Sequence, residues 1–360
     1  MIGVPLYGKA DYLPAAIDSL LAQTHRACAL VLVDDCSPDE TPALARAYAQ
    51  AHAHVSFFAN PERLGLVGNW RRCFELAREL HPGARYFAWG SDHDVWDSEW
   101  LARLAGELDA HPEAVLAYSR NQRLLEDGGT WHGSRDCQTA GMRDPLGRVG
   151  FTVTNMTAGS MVYGLMRADA LKRAGVLRHV LAPDRLLLAE LAIQGESRQV
   201  PELLWHRRFT NTATVARQRR SIFPGDAPWH ARVNSLMVHT AILLWRYGAL
   251  GAGRPQLGRL RGAAAALLMA YSRVRAKGGK RLGKWWRVRS HRTRRARKRL
   301  RRGAARAVKR ARRGPRRALR VVRRAPSVVR RDGAGAPQDA QEAPEEPSSE
   351  RSDPRSIRSP

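Results

Sequence analysis

The chain is poor in cysteine, with Cys28, Cys36, Cys73 and Cys137 the only four among 360 residues and no CxxC pair. That excludes a disulfide framework, argues against structural zinc and leaves the thiols as packing residues in a reducing compartment. Long apolar runs are missing too. Ser235 to Trp245 and Ala263 to Tyr271 are the longest, and both fall short of the ~20 residues that a bilayer-spanning helix needs, so no transmembrane helix is expected. The first ten residues hold Gly3, Pro5 and Gly8 in place of a basic segment and an apolar core. No cleaved secretion signal is therefore expected, and the expected location is cytoplasmic. The first turn, Pro5-Leu6-Tyr7-Gly8-Lys9, is neither GxGxxG nor GxxxxGK[ST], so no glycine cradle for a pyrophosphate is expected there.

Acidic residues are absent from one long stretch. The window 254–331 holds 31 of the 61 Lys and Arg and no Asp or Glu, whereas 332–360 has three Arg against seven acids. Residues 1–253 are left with 27 basic and 26 acidic residues, so the net +28 of the whole chain belongs to an appendage. The first 250 residues are enough for one sizeable core. The expected organisation is a folded domain over 1–210 with halves 1–120 and 121–210, a helical part over 211–253, a basic extension over 254–331 and a disordered polar tail over 332–360.

The first 120 residues alternate apolar runs with helical patterns. Ile2 to Leu6 reads as a strand starting at the first residue, as if a residue or two upstream were missing. Leu13, Ile17, Leu20 and Leu21 then fall on one helix face. Ala29 to Val33, Val55 to Phe58, Tyr86 to Trp89 and Ala114 to Tyr118 read as further strands, with helices around Trp70 to Leu80 and Ser98 to Asp109 between them. Ser37, Pro38 and Glu40 have the spacing of a capping box that starts a helix at once. Asp127-Gly128-Gly129 reads as a hairpin turn and Gly133 to Gly150 as loop. Helices are expected over Gly159 to Ala174 and Asp184 to Gln194, then a last strand over Glu196 to Phe209 and two apolar helices from about Trp229. Repeated strand-helix-strand units predict an α/β fold with a mostly parallel sheet flanked by helices, a single Rossmann-like domain.

Open parallel sheets bind ligands beyond the carboxyl ends of their strands. Two acidic groups sit at such ends: Asp34 and Asp35, and Asp92-His93-Asp94. Two Asp one residue apart on a loop can hold a hard divalent cation that completes its shell with phosphate oxygens, which points to a metal-bound nucleoside diphosphate. A calcium loop fails, because Trp96 and Arg103 occupy positions where such a loop needs ligands. Asp34 reads as structural, and Asp184 reads equally as a helix N-cap or as a base.

At these positions the chain resembles the family 2 glycosyltransferases of GT-A fold. Gly3-Val4-Pro5-Leu6-Tyr7-Gly8 is similar to the family's PxYN strand, Ser19 to Thr24 (SLLAQT) to its SLLxQT helix end, and Val33 to Thr41 (VDDCSPDET) to its VDDxSxDxT. Phe87 to Trp96 is similar to its DxD strand end, and Ala182 to Phe209 to its closing segment of acid, LRL helix, glycine, VPE and basic strand. The resemblance implies inverting transfer of a sugar from a nucleotide-diphosphate sugar with a bound Mn or Mg ion. It implies that Pro5, Tyr7 and Asp35 line the nucleoside pocket, that Asp92 meets the ribose or the metal shell, that Asp94 ligates the metal and that Asp184 is the general base. Gly8 replaces the usual Asn, His93 stands where Asp is common, and Pro183 stands where an acid often precedes the base.

The expected acceptor is a cell-envelope glycan or a lipid-linked hydroxyl. For the window 254–331, with Trp285-Trp286 inside it, the expected partner is an anionic membrane surface at the inner face of the membrane, with nucleic acid the alternative. The rival reading from another class is a nucleic-acid-binding or scaffolding protein whose glycosyltransferase-like domain is catalytically silent.

Overall fold

The computed structural model describes residues 1–124, 130–132, 136–156, 158–208, 214–250 and 257–271. The chain divides into a unit Met1–Arg287, which contains all of these residues, and a unit Val288–Pro360. The turn expected at Asp127-Gly128-Gly129 and nearly all of the basic window lie outside the described residues.

Strands β1 (Ile2–Leu6), β2 (Leu30–Asp34), β3 (Val55–Ala59) and β4 (Tyr86–Trp89) alternate with helices α1 (Leu13–Leu21), α2 (Thr41–Ala51) and α3 (Gly65–Leu80). After the short β5 (Val95–Trp96) and α4 (Trp100–Ala110), the long β6 (Ala114–Leu124) pairs antiparallel with β7 (Thr130–His132). Helices α5 (Pro145–Asn155) and α6 (Ala158–Met161), strand β8 (Leu165–Arg167), helices α7 (Ala168–Arg173) and α8 (Pro183–Gln194) and strand β9 (Glu196–Arg208) complete the α/β body. Helices α9 (Val215–Ile222), α10 (Ser235–Leu243, widening into a π turn over Leu244–Ala249) and α11 (258–271) come after it in the chain.

The strands form one sheet in the order β3-β2-β1-β4-β8-β6-β9-β5, with β7 on β6. β3, β2, β1 and β4 are parallel; β8 enters antiparallel between β4 and β6, β6 and β9 run parallel, and β5 closes antiparallel on β9. This is a mixed α/β sheet flanked by helices, the GT-A architecture. Alternation along the strands feeds two cores. Leu30 and Leu32 join Ile2, Val4, Leu13 and Trp100 on one face, while Val31 and Val33 join Phe74, Phe87 and Leu187 on the other. Gly3 is required where α3 crosses β1, because a Cβ there would lie 2.7 Å from that of Cys73.

Four local expectations change. The capping box does not form: α2 begins at Thr41, Cys36 takes a positive φ of 59°, and Ser37 serves the neighbouring loop. The stretch expected to be loop up to Gly150 becomes helical at Pro145, because Asp144 accepts from Gly147 N at 2.8 Å and Pro145 opens the first turn. The helix expected over Gly159 to Ala174 is broken by β8, whose Met166 pairs with both Phe87 and Leu116. Gly164 permits this insertion, since a Cβ there would lie 2.4 Å from the Ala117 carbonyl. Asp184 is not an N-cap; Ala182 holds that place at φ 55°, and Asp184 lies in the first turn of α8.

Candidate active site

The loop after β1 commits the amides of residues 7 to 10 to side chains of its neighbours. Tyr7 N donates to Asp92 Oδ2 (3.0 Å), Gly8 N to Ser37 Oγ (3.0 Å), Lys9 N to Thr41 Oγ1 (3.1 Å) and Ala10 N to Asp39 Oδ2 (3.0 Å). The side chains of two neighbouring strand-end loops therefore hold this loop as a rigid wall. Gly8 sits at φ 63°, a left-handed conformation that glycine and asparagine adopt most readily, which accounts for glycine in place of the family's asparagine.

At the end of β2 the two carboxylates are spent on local structure. Asp34 accepts from Ser37 N (3.1 Å) and from the Ser37 hydroxyl. Asp35, buried, accepts at Oδ1 from Leu64 N (2.7 Å) and Asn60 Nδ2 (3.1 Å) and at Oδ2 from Gly65 N (2.9 Å). It thereby fixes the start of α3, whose opening amides lack partners within the helix. A carboxylate has about four lone-pair sites, so a place for a further donor remains on Oδ2.

At the end of β4 the arrangement differs. His93 Nδ1 lies 2.6 Å from Asp92 Oδ1, and its Nε2 lies 3.9 Å from Asp94 Oδ1. The imidazole thus stands between two carboxylates. Burial alone would lower its pKa, but the hydrogen bond to Asp92 and the charges of Asp94 and Asp92 outweigh it and raise the value. Asp94 is 1% exposed and accepts from Arg208 N (2.8 Å) and Trp205 Nε1 (3.2 Å). Burial raises its pKa, with His93 and the Arg208 amide opposing. Among the described residues no three side chains form a ready metal-ligating group. Asp92 and Asp94 nevertheless flank the His93 ring as an acidic pair whose chemistry suits a hard cation, and each keeps lone pairs beyond those engaged. The donor set therefore fits a divalent ion held by Asp92 and Asp94.

These loops enclose a cleft of about 260 Å³ lined by Pro5, Tyr7, Asp35, Arg63, Asp92 and Tyr163, among others. Four of the sequence-identified residues, Pro5, Tyr7, Asp35 and Asp92, thus meet in one place, while Asp94 and Asp184 are not among the lining residues. The Arg63 guanidinium lies 4.1 Å from the centroid of the Tyr7 ring at the mouth. Asn69 is buried in structure: its Nδ2 donates to Val33 O (3.0 Å) and its Oδ1 accepts from Asn60. Arg208 Nη1 donates to His93 O (3.0 Å), so the basic end of β9 closes on the acidic loop.

Sequence reasoning missed Tyr163. It lies in the turn before β8, inside a segment that reads as continuous helix, and its ring packs against Trp70 (5.3 Å between centroids) and Trp205 (4.9 Å). Burial, then the charges of Asp94, Asp92 and Asp184, push its phenol well above the usual range, while Arg207 opposes. Tyr163 is therefore within electrostatic reach of both the strand-end acids and Asp184, and it links the two halves of the site. Trp205 was legible only as an apolar strand residue; its indole N–H toward Asp94 carried no sequence signal.

Residues 1–173 match the family model described as "Glycosyl transferase family 2". A segment of 121 residues (32% of this chain) is 33% identical to 28% of Protein CgeD from Bacillus subtilis. Another of 115 residues (32% of this chain) is 30% identical to 43% of a PGL/p-HBAD biosynthesis glycosyltransferase from Mycobacterium bovis. The aligned part spans less than half of each of these relatives. In fold, the chain is similar to the crystal structure of S. aureus TarS 1–349 in complex with UDP-GlcNAc, at a TM-score of 0.51 and 14% identity over 68% of this chain and 66% of that one.

Proposed function

We propose, from the premise that residues 1–173 form a glycosyl transferase family 2 domain, that the protein moves a sugar from a nucleotide-diphosphate sugar to a hydroxyl of a cell-envelope glycan or lipid-linked acceptor. The carrying observation is the convergence of Pro5, Tyr7, Asp35, Arg63 and Asp92 in one cleft at the carboxyl ends of parallel strands. A fold neighbour crystallised with UDP-GlcNAc supports a nucleotide sugar as donor.

In this reading Tyr7 and Arg63 flank the nucleoside and the open lone pair of Asp35 Oδ2 accepts from it. Asp92 holds the ribose or shares with Asp94 a Mn or Mg ion, which would stabilise the charge developing on the diphosphate. Asp184 removes the acceptor hydroxyl proton as the new C–O bond forms on the face opposite the departing diphosphate, so the anomeric centre inverts. The proton ends on the Asp184 carboxylate. Tyr163 lines the same cleft, and burial holds its phenol above the usual range.

The same proposal places residues 1–210 as catalytic domain and the basic window 254–331 as the part that brings the enzyme to an anionic membrane surface. No helix among the described residues is long and apolar enough to cross a membrane. The test is to incubate purified protein with a panel of nucleotide sugars and Mn or Mg. Release of nucleoside diphosphate, lost in Asp94→Ala and Asp184→Asn variants of unchanged thermal stability, supports the reading. Release of pyrophosphate would indicate a nucleotidyltransferase. No donor consumption together with steep salt-dependent RNA or DNA binding would indicate the silent, nucleic-acid-binding alternative.

A further inference from the structure

Seven of the eleven exposed large apolar side chains among the described residues fall between Trp229 and Tyr271, so their placement is not the scatter expected of an ordinary surface. Helix α10 with its π turn is apolar on two opposite faces. His239, Leu243 and Tyr247, four apart, are buried; Met237, Ala241, Trp245 and Ala249, also four apart, are exposed. Helix α11 repeats the pattern. Ala265, Ala266 and Met269 are buried while Leu260 (88% exposed), Leu267 (60%) and Tyr271 (62%) face outward, and Gly262 to Tyr271 contains no charged residue. The two helices touch where Gly262 meets Tyr247 and Gly248 meets Ala263. A helix that is apolar all round belongs in a buried setting, and the outward faces of α10 and α11 are only half provided for by the domain.

The sequence immediately after α11 indicates the cover. From Ser272 to Arg331 there are 28 Lys and Arg in 60 residues and no Asp or Glu. Such a stretch is too charged to blanket an apolar face, but it complements anionic headgroups, and the first of its cations, Arg273, lies two residues past the exposed Tyr271. Apolar and aromatic side chains beside dense positive charge are the two halves of an interfacial membrane contact. We propose that the outward faces of α10 and α11, through Met237, Trp245, Leu250, Leu260, Leu267 and Tyr271, insert into the surface of an anionic lipid bilayer. The basic segment then adds long-range attraction to a contact whose specificity in position comes from the folded helices. This rests on the membrane-surface reading above and is independent of the transfer chemistry.

The test uses the full chain and sedimentation with phosphatidylcholine vesicles, with and without phosphatidylglycerol, at low and high salt. Salt screens the basic segment and leaves apolar insertion in place. The wild-type protein is expected to bind the anionic vesicles and to retain part of that binding at high salt. A variant combining Trp245→Gln, Leu260→Gln, Leu267→Gln and Tyr271→Gln is expected to lose the salt-resistant part and to partition roughly tenfold more weakly at low salt. These positions are exposed, so the thermal midpoint should hold; if the combined variant unfolds, Leu260→Gln alone keeps the test, with a smaller loss in the same salt-resistant part. Equal binding of variant and wild type at both salts would overturn the inference and leave the basic segment as the only anchor. No vesicle binding by either protein would remove the membrane reading as well. A wild-type dimer in light scattering that the variant abolishes, without vesicle binding, would show that the face takes a second copy of the chain instead.

Discussion

Two pairs of aspartates stand at the ends of neighbouring parallel strands, and they are used in opposite ways. At the end of β2, Asp34 accepts from Ser37 in its own loop and Asp35 from Asn60, Leu64 and Gly65 in the loop after β3, so their charge is dissipated among donors within the fold. At the end of β4, Asp92 and Asp94 stand on either side of the His93 ring, and their other donors are the Tyr7 amide for Asp92 and the Arg208 amide and Trp205 indole for Asp94. An acid pair at a strand end is therefore not a site by position alone. A pair that anchors the start of the next helix builds the wall, and a pair set on either side of a titratable ring is where an external charge can bind.

Breaking the second pair should cost the most. Asp94→Ala is expected to lower transfer by on the order of 10²–10³, and Asp184→Asn by on the order of 10²–10⁴, measured by release of nucleoside diphosphate. The first pair should respond the other way round. Asp35→Ala orphans Leu64 N, Gly65 N and Asn60 Nδ2 at the start of α3, a loss of about 2–4 kcal/mol. For a domain of this size that is roughly 5–15 °C in thermal midpoint, readable by calorimetry.

The contrast between the pairs was only half legible in the sequence. Strands β1 to β4 and the acids at their ends could be read because each strand is a short apolar run bounded by turn residues, and helices alternate with these four parallel strands. Asp34 against Asp35 could not be separated further, since the partners of Asp35 lie about thirty residues away in Leu64 and Gly65. The region around Tyr163 was misread for a related reason. Three residues, Leu165 to Arg167, become a strand only because β4 and β6 offer edges on both sides, so tertiary pairing overrides a local pattern that looks helical. The capping box failed because Ser37 bonds across to Gly8 rather than forward into α2. Such cross-loop partners have no signature in local spacing.

Smaller effects sharpen the comparison. Removing the ring with His93→Ala leaves Asp92 and Asp94 without the imidazole between them. Added Mn should then raise the thermal midpoint more than in the wild type, by about 1 kcal/mol or roughly 2–4 °C. Asp35→Asn should show no such gain, because Asp35 faces the Leu64 and Gly65 amides rather than a second carboxylate. At the cleft mouth, Arg63→Ala removes the cation over Tyr7, and the apparent affinity for the donor should fall about three- to tenfold with kcat little changed.

The most direct measurement is calorimetric titration of UDP and of GDP, each with and without Mn, into wild-type protein and the Asp94→Asn and Asp35→Asn variants. Wild type and Asp35→Asn are expected to bind one of these nucleotides more tightly when Mn is present, with Asp35→Asn weaker throughout, while Asp94→Asn shows the same affinity with and without the metal. Metal-dependent binding that survives in Asp94→Asn and vanishes in Asp35→Asn would contradict the division of labour between the two strand ends.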